Sequence, residues 1–328
     1  MVLAAACGSS RTPRSTPTSA SECRFPAADS VWLSTAIADW HRIGEPRLRL
    51  PRQAPLPQLV LFDPACVHEV EVGTTWRIRS ASHRGRIRLP NGHVIPPIGI
   101  GITSPTANDT AIFLALALPE SWRADPRYRG TNDTRLNWER YLVGAFTHEM
   151  AHARMLPGLL QRLRGLEASI YPDTLEDNLV QSRFRANRDF AGAVARETDL
   201  LYRASQASTV RIQRDYARIA LAGIRERRER HYVGDLASWG EMEQTFLDLE
   251  GVAQWAAFGH LAGSLTSGAT FNRLLARFRS SREFWSEDQG LAMILALDAL
   301  VPDWQSRLIS PAPTTSFDLL TQALADDR

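Results

Sequence analysis

The sequence predicts an α+β fold, a small β-rich N-terminal lobe followed by a mainly α-helical lobe. Three observations carry this. Short apolar runs separated by Gly, Pro and Asn crowd residues 55 to 120, the texture of strands and turns. From residue 136 almost to the end, apolar residues recur at helical spacing. Between the two lies "PESWRADPRYRGTND", which has neither pattern and reads as a connection. The chain thus divides into a leader or tether over 1–28, a β-rich lobe over 29–135 and a helical lobe over 136–328. At 328 residues and 44% hydrophobic content, it can build a sizeable core.

In order, "SVWLSTAIADWHR" spaces Trp32, Ile37 and Trp40 as one helical face would, so a short helix precedes the strands. Strands are expected at Leu59 to Phe62, Val67 to Val72, Trp76 to Arg79, Arg86 to Leu89, Val94 to Ile102 and Ala111 to Leu118. The Asn-Gly pair in "LPNGHVIP" marks a hairpin. A helix follows over Leu136 to Met155, and "TLEDNLVQSRF", "FAGAVARETDLLYRASQAS", "VRIQRDYARIALAGIRERRERHYV", "EMEQTFLDLEGVAQWAAFGHLA", "TFNRLLARFR" and "EDQGLAMILALDAL" read as later helices. Trp255, Trp285 and Trp304 fall at apolar helical positions and read as core packing. "RERRER", Arg225 to Arg230, alternates Arg with Glu226 and Glu229 and reads as a solvated helix face.

The 38 basic and 36 acidic side chains nearly cancel, so the charge of +2 gives no reason to expect nucleic acid as a partner. Every basic residue is Arg, which excludes Schiff-base and lysine general-base chemistry. No apolar run reaches the roughly 18 residues of a membrane span. The start, "MVLAAACGSSRTPRSTPTSASE", resembles the end of a bacterial lipoprotein signal followed by a polar tether, which would make Cys7 a lipidated anchor and place the protein in the cell envelope, periplasm or outside the cell. The alternative is an ordinary polar N-terminus of a cytoplasmic protein. Cys23 and Cys66 form a disulfide in an oxidising compartment; two unpaired thiols fit the sequence equally well.

The stretch that carries chemistry is "AFTHEMAHAR", residues 145 to 154. On a helix, His148 and His152 stack one turn apart and can offer both imidazoles to one ion, while Glu149 projects about a quarter turn away, toward a water at the metal. Two polar rings and a carboxylate on a buried helix are costly unless something answers them. A catalytic metal site needs a third ligand, and no His follows closely enough to be it. Glu250 in "TFLDLEGVAQWAAF" is the leading candidate, because a carboxylate on the buried side of a strongly apolar stretch needs a partner such as a metal. Glu197 is the second choice and Glu287 the third. Gly251 would let the Glu250 helix approach the HEMAH helix closely, and Gln254, one turn on, could accept a hydrogen bond from a ligand imidazole.

"HEMAH" followed by "LEGVAQW" resembles the gluzincin branch of the zincin metallopeptidases, in which HExxH supplies two ligands and the base and a later helix supplies a ligand Glu in an "EG-x-A" type of segment. The resemblance covers residues 139 to 156 and 243 to 258. It departs at Gln254, where many of these proteins carry an acid. It implies a zincin-like fold with the HExxH helix at the junction of the lobes, Zn²⁺ on His148, His152 and Glu250, and Glu149 as the general base for hydrolysis of a peptide or protein substrate. The oxyanion would need a further donor, for which Tyr232 and His231 are candidates. In such a fold an edge strand before the helix binds extended peptide, and "AIFLALAL" is the candidate; the alternative is a buried interior strand. The rival to an enzyme is a catalytically silent zincin-like scaffold or binding protein of the envelope.

Overall fold

The computed structural model describes residues 23–51, 55–73, 76–108, 110–124, 138–170, 175–263, 268–280 and 284–325. Cys7 and most of the predicted tether lie outside the described residues. The first helix, α1 (Ala27–Asp39), runs on through a π-helical turn at Trp40–Gly44 into α2 (Glu45–Arg47). Trp32, Leu33, Ala36, Ile37 and Trp40 form its buried face, as their spacing requires.

Among the described residues seven strands follow: β1 (Gln58–Phe62), β2 (Cys66–Glu71), β3 (Arg77–Ser82), β4 (Ile87–Arg88), β5 (Val94–Ile95), β6 (Gly101–Pro105) and β7 (Ile112–Ala117). Five of them make one sheet in the order β3-β2-β1-β7-β6. Only the β1–β7 pair is parallel; the other three are antiparallel. β4 and β5 form the separate hairpin that Asn91-Gly92 predicts. The run Val94 to Ile102, expected as one strand, is broken at Pro96-Pro97, because a proline nitrogen has no proton for a ladder. A disulfide joins Cys23 to Cys66, with 5.9 Å between their Cα atoms, and ties the segment before α1 to the start of β2.

β7 is not an edge strand. It lies between β1 and β6, and its Phe113 to Ala117 are fully buried, so the continuous apolar run marks a strand covered on both faces. The edge on this side is β6.

The helical lobe begins with α3 (Pro119–Ala124) and the long α4 (Trp138–Ile170), which lies against β6 and β7 and carries HEMAH. α4 extends past its expected end at Met155 and through Pro157. Leu156, Leu159, Leu163 and Leu166 continue its buried face, and that packing outweighs the hydrogen bond that Pro157 removes. Then come α5 (Leu179–Phe184), α6 (Arg188–Gln206), α7 (Val210–His231), α8 (Trp239–Ala262), α9 (Gly268–Ser280), α10 (Trp285–Leu300), α11 (Trp304–Leu308) and α12 (Ser316–Ala325). Asn187 and Thr209 cap α6 and α7 through their side-chain oxygens.

α8 is buried nearly all round, packed against α4 on one side and α10 on the other. Gly251 does not face the HEMAH helix as expected. It meets Gly290 of α10, where a Cβ on either glycine would fall within 3 Å of the other helix's backbone. On α4 it is Gly144 that gives room to α8, lying under Leu261. Trp255 and Trp304 pack edge to face at 5.0 Å in the core; Trp285 is only half-buried.

Candidate metal centre

Helical spacing stacks His148 and His152 on α4, and the crossing of α8 over α4 brings Glu250 to them from 98 residues further along. Nε2 of His148 and Nε2 of His152 are 2.9 Å apart, and Oε2 of Glu250 lies 3.4 Å from each. Ligand atoms about 2.0–2.1 Å from a tetrahedral zinc ion stand about 3.3 Å from one another, so the three atoms have the spacing that such an ion demands. Among the described residues this is the one group of three or more His, Cys, Asp or Glu whose ligand atoms all lie within 4.8 Å of each other. Glu250 and His152 are each 3% exposed in their side chains and His148 15%, so the site opens on the His148 side.

The electrostatics describe a pocket that is short of positive charge. Burial alone would raise the Glu250 carboxyl, but the two imidazoles hold it well below the usual carboxylate range. His152 is raised above the ordinary imidazole value: burial opposes the charge, and Glu250, then Glu149, outweigh it. Nδ1 of His152 is buried with no hydrogen-bond partner, and Gln254 does not supply one.

Glu149 is oriented from the sheet. The Oγ1 hydroxyl of Thr103, on β6, donates to Glu149 Oε2 at 2.7 Å, with the Glu149 carbonyl oxygen 3.0 Å away. Gly101, two residues earlier on the same face, leaves the room: a Cβ there would stand 2.4 Å from Glu149 Oε1. Neither residue stood out in the sequence, because the pairing spans 46 positions and needs the sheet to be docked first.

A second acid also escaped the sequence reading. Asp177, just before α5, is half-buried as a residue, yet its Oδ1 is fully enclosed and has no hydrogen-bond partner. Burial, and then the nearby charge of Glu250, push its carboxyl up to about 7.

The other predicted site residues are engaged elsewhere. Tyr232 donates its hydroxyl to Glu243 at 3.0 Å, and His231 lies 3.5 Å from Asp189 and edge-on to Phe190, so neither is brought to the triad as an oxyanion donor. Glu197 is paired with Arg227 at 2.9 Å and is not a ligand. Glu287 lies on the first turn of α10 and outside the ligand cluster. "RERRER" is not uniformly solvated: Arg227 is buried between Glu197 and Glu243, while Arg230 is the surface residue the pattern predicts.

The chain matches no family model, no curated protein and no solved structure. The geometry of the site therefore stands by itself. A cavity of about 640 Å³ lies elsewhere, lined by Trp32, Asp39, Arg140, Val143 and His260. None of those residues belongs to the ligand cluster, and we place the chemistry at the triad, where the donor atoms converge.

Proposed function

We propose that this protein is a zinc-dependent peptidase of the gluzincin type. The observation that carries the reading is the convergence of His148, His152 and Glu250 at tetrahedral spacing, with a separate carboxylate, Glu149, beside them and outside the ligand set. His148, His152 and Glu250 would hold the ion, which when bound supplies Lewis-acid polarisation of a carbonyl and acidifies water. Glu149 accepts the proton of the attacking water and returns it to the leaving amine. Thr103 holds the Glu149 carboxylate by the hydrogen bond from its hydroxyl.

β6 is an edge strand of the sheet, and the alternation of the antiparallel ladder turns the peptide groups of Gly101 and Thr103 away from β7; Ile102, Thr103 and Ser104 are buried there, so this edge is covered in the structure. The Cys23–Cys66 disulfide supports the reading that the protein works in an oxidising compartment, in the envelope or outside the cell. Among the described residues no helix is long and apolar enough to cross a membrane.

The test is zinc content by elemental analysis of wild type, Glu250→Ala and Glu197→Ala, with peptide hydrolysis of wild type and Glu149→Gln. One zinc per chain, lost with Glu250→Ala and kept with Glu197→Ala, is expected. Glu149→Gln should keep its zinc and lose about a hundredfold or more in turnover. Hydrolysis retained by Glu149→Gln removes that residue from the mechanism; a wild type that takes up no zinc removes the reading.

A further inference from the structure

The cavity of about 640 Å³ lies between α1, the start of α4 and the end of α8, and the peptidase reading makes no use of it. Pockets that take small molecules measure about 300–1,000 Å³ and are mostly apolar, with a few placed polar groups. The walls here have that composition. Ala28, Val31, Thr35 and Asp39 follow one another at three- and four-residue steps, so they form one stripe along α1, apolar at its start and charged at its end. Trp32 lies beside the stripe, held edge to face by Phe146 at 6.4 Å. Val31 is 68% exposed, a large apolar side chain that the fold of this chain leaves uncovered on the wall of a cavity.

The charged end gathers Asp39, Arg42, Arg140 and His260. Arg42 is answered by Asp39 at 2.5 Å. Arg140, half-buried on the first turn of α4, has no ion pair or hydrogen bond among the described residues. The side chain of His260 is 4% exposed; its Nδ1 is enclosed without a partner, and its Nε2 stands 3.9 Å from Asp39 Oδ2, beyond a hydrogen bond. Burial, helped by Arg140 and Arg42 and opposed by Asp39, holds the ring below the ordinary imidazole value, so it is neutral at pH 7 with one N–H to give. One acid against two arginines leaves this end with a single positive charge and two donors unused.

We propose that this cavity is a second ligand site, separate from the metal centre, which takes a small aliphatic carboxylate: the chain along Ala28, Val31 and Trp32, the carboxylate between Arg140 and His260. The surplus of one positive charge matches a monoanion and not a phosphate dianion. Apart from His260 and the Trp32 indole, Thr35 is the one uncharged polar side chain on the described walls, so the amide groups of a peptide would lie there largely unanswered, whereas a hydrocarbon chain asks for nothing. From Ala28 to Asp39 the helix rises about 16 Å, the length of an extended chain of about ten to twelve carbons. No zinc ligand takes part, so the site does not depend on the peptidase reading.

The test is calorimetric binding of decanoate at pH 7, below its micelle concentration, to wild type, Arg140→Gln and Val31→Glu. Decylammonium, with the same chain and the opposite charge, and acetyl-Leu-Leu, with the same carboxylate on an amide-bearing body, are the comparison ligands. Decanoate is expected to bind wild type at least about tenfold more tightly than either, the range of one charge-assisted hydrogen bond. Arg140 and Val31 are not fully buried, so Arg140→Gln and Val31→Glu should each weaken decanoate about tenfold with the unfolding temperature unchanged. Chelator-treated and zinc-loaded wild type should bind it equally. Equal binding of decylammonium means apolar adsorption without charge recognition, and preference for acetyl-Leu-Leu means a peptide subsite; either overturns the proposal. So does full affinity in Arg140→Gln, or binding that disappears with the chelator, which places the carboxylate on the metal centre instead.

Discussion

Among the buried polar clusters along α8, those at Glu243 and Glu250 are solved in opposite ways. At Glu243 the acids meet their cations. Arg227 joins Glu197 and Glu243 at 2.9 and 2.7 Å, Arg228 closes on Glu243 at 2.8 Å, and the hydroxyl of Tyr232 and the amide of Gln289 fill remaining acceptor positions. The Arg227 guanidinium is held charged, since the two carboxylates outweigh its burial, and the Glu243 carboxyl is held low because both arginines outweigh the same effect. At Glu250, seven residues and two turns later on the same helix, the described residues bring acids and imidazoles but no arginine. Oδ1 of Asp177 and Nδ1 of His152 are left without partners. The first cluster is complete as folded. The reading of a metal ion held by His148, His152 and Glu250 accounts for the second.

The contrast can be broken most severely at Arg227. Arg227→Met should leave Glu197 and Glu243 buried and unanswered and cost about 3–5 kcal/mol in denaturant unfolding. A loss under about 1 kcal/mol would mean the cluster does not behave as a closed ion network. By the same logic Glu250→Gln should cost the metal-free protein far less than Arg227→Met, yet remove the zinc.

The pH dependence sharpens the comparison next. In the metal-free protein the raised His152 value contributes stability that is full below its unfolded pKa and is lost as pH rises through the folded one. The Asp177 carboxyl acts in the same direction: raised from 3.8 to about 7, it contributes stability that is full below its unfolded value and is lost as pH rises to about 7. Metal-free protein should thus lose stability as pH rises, through Asp177 between about pH 4 and 7 and through His152 above the ordinary imidazole value. Zinc, which needs the deprotonated ligands, should stabilise increasingly over the same range, by about 4 kcal/mol at a thousandfold excess over its Kd. Thermal unfolding with and without zinc across that range measures this; a zinc effect that is flat with pH would disconnect the imidazoles from the ion.

A smaller effect is expected at Thr103. Thr103→Val removes the hydroxyl that holds Glu149 and should lower kcat about tenfold with zinc content and KM little changed, whereas Thr103→Ser should keep most of the activity. An equal fall in Thr103→Ser would point to the lost methyl packing and not to the hydrogen bond. The smallest change belongs to Arg230, whose contacts with Glu226 and Asp189 are exposed: Arg230→Ala should move stability by about 0.5 kcal/mol or less. Arg227 and Arg230 stand three residues apart in one charged run, so these two variants also measure how far burial separates them.

That pair shows where sequence reasoning stops. "RERRER" has the alternation of a solvated face, and Arg230 obeys it, but Arg227 sits where α7 turns its inner side to α6 and α8. Likewise the apolar run of β7 announced a strand without saying which of two neighbours would leave it at an edge; strand order is a long-range property. Tyr232 and His231 had suitable chemistry at a plausible place along the chain, and the fold pointed them at Glu243 and Asp189.

By itself the sequence determined the features that depend on neighbours along the chain. Those are the division into strands and helices, the hairpin at Asn91-Gly92, and the stacking of His148 over His152 with Glu149 beside them. Glu250 was legible too, because an acid in an apolar helix is costly enough to imply a partner. Only the tertiary structure decided which partners those groups received. It docked β6 so that Thr103 grips Glu149, crossed α8 over α4 so that Glu250 reaches the imidazoles, and enclosed one oxygen of Asp177 nearby. The reason is range: helical and strand periodicity act over a few residues, while the electrostatics of a buried site are set by whichever segments, however distant in the chain, the core brings within a few ångströms.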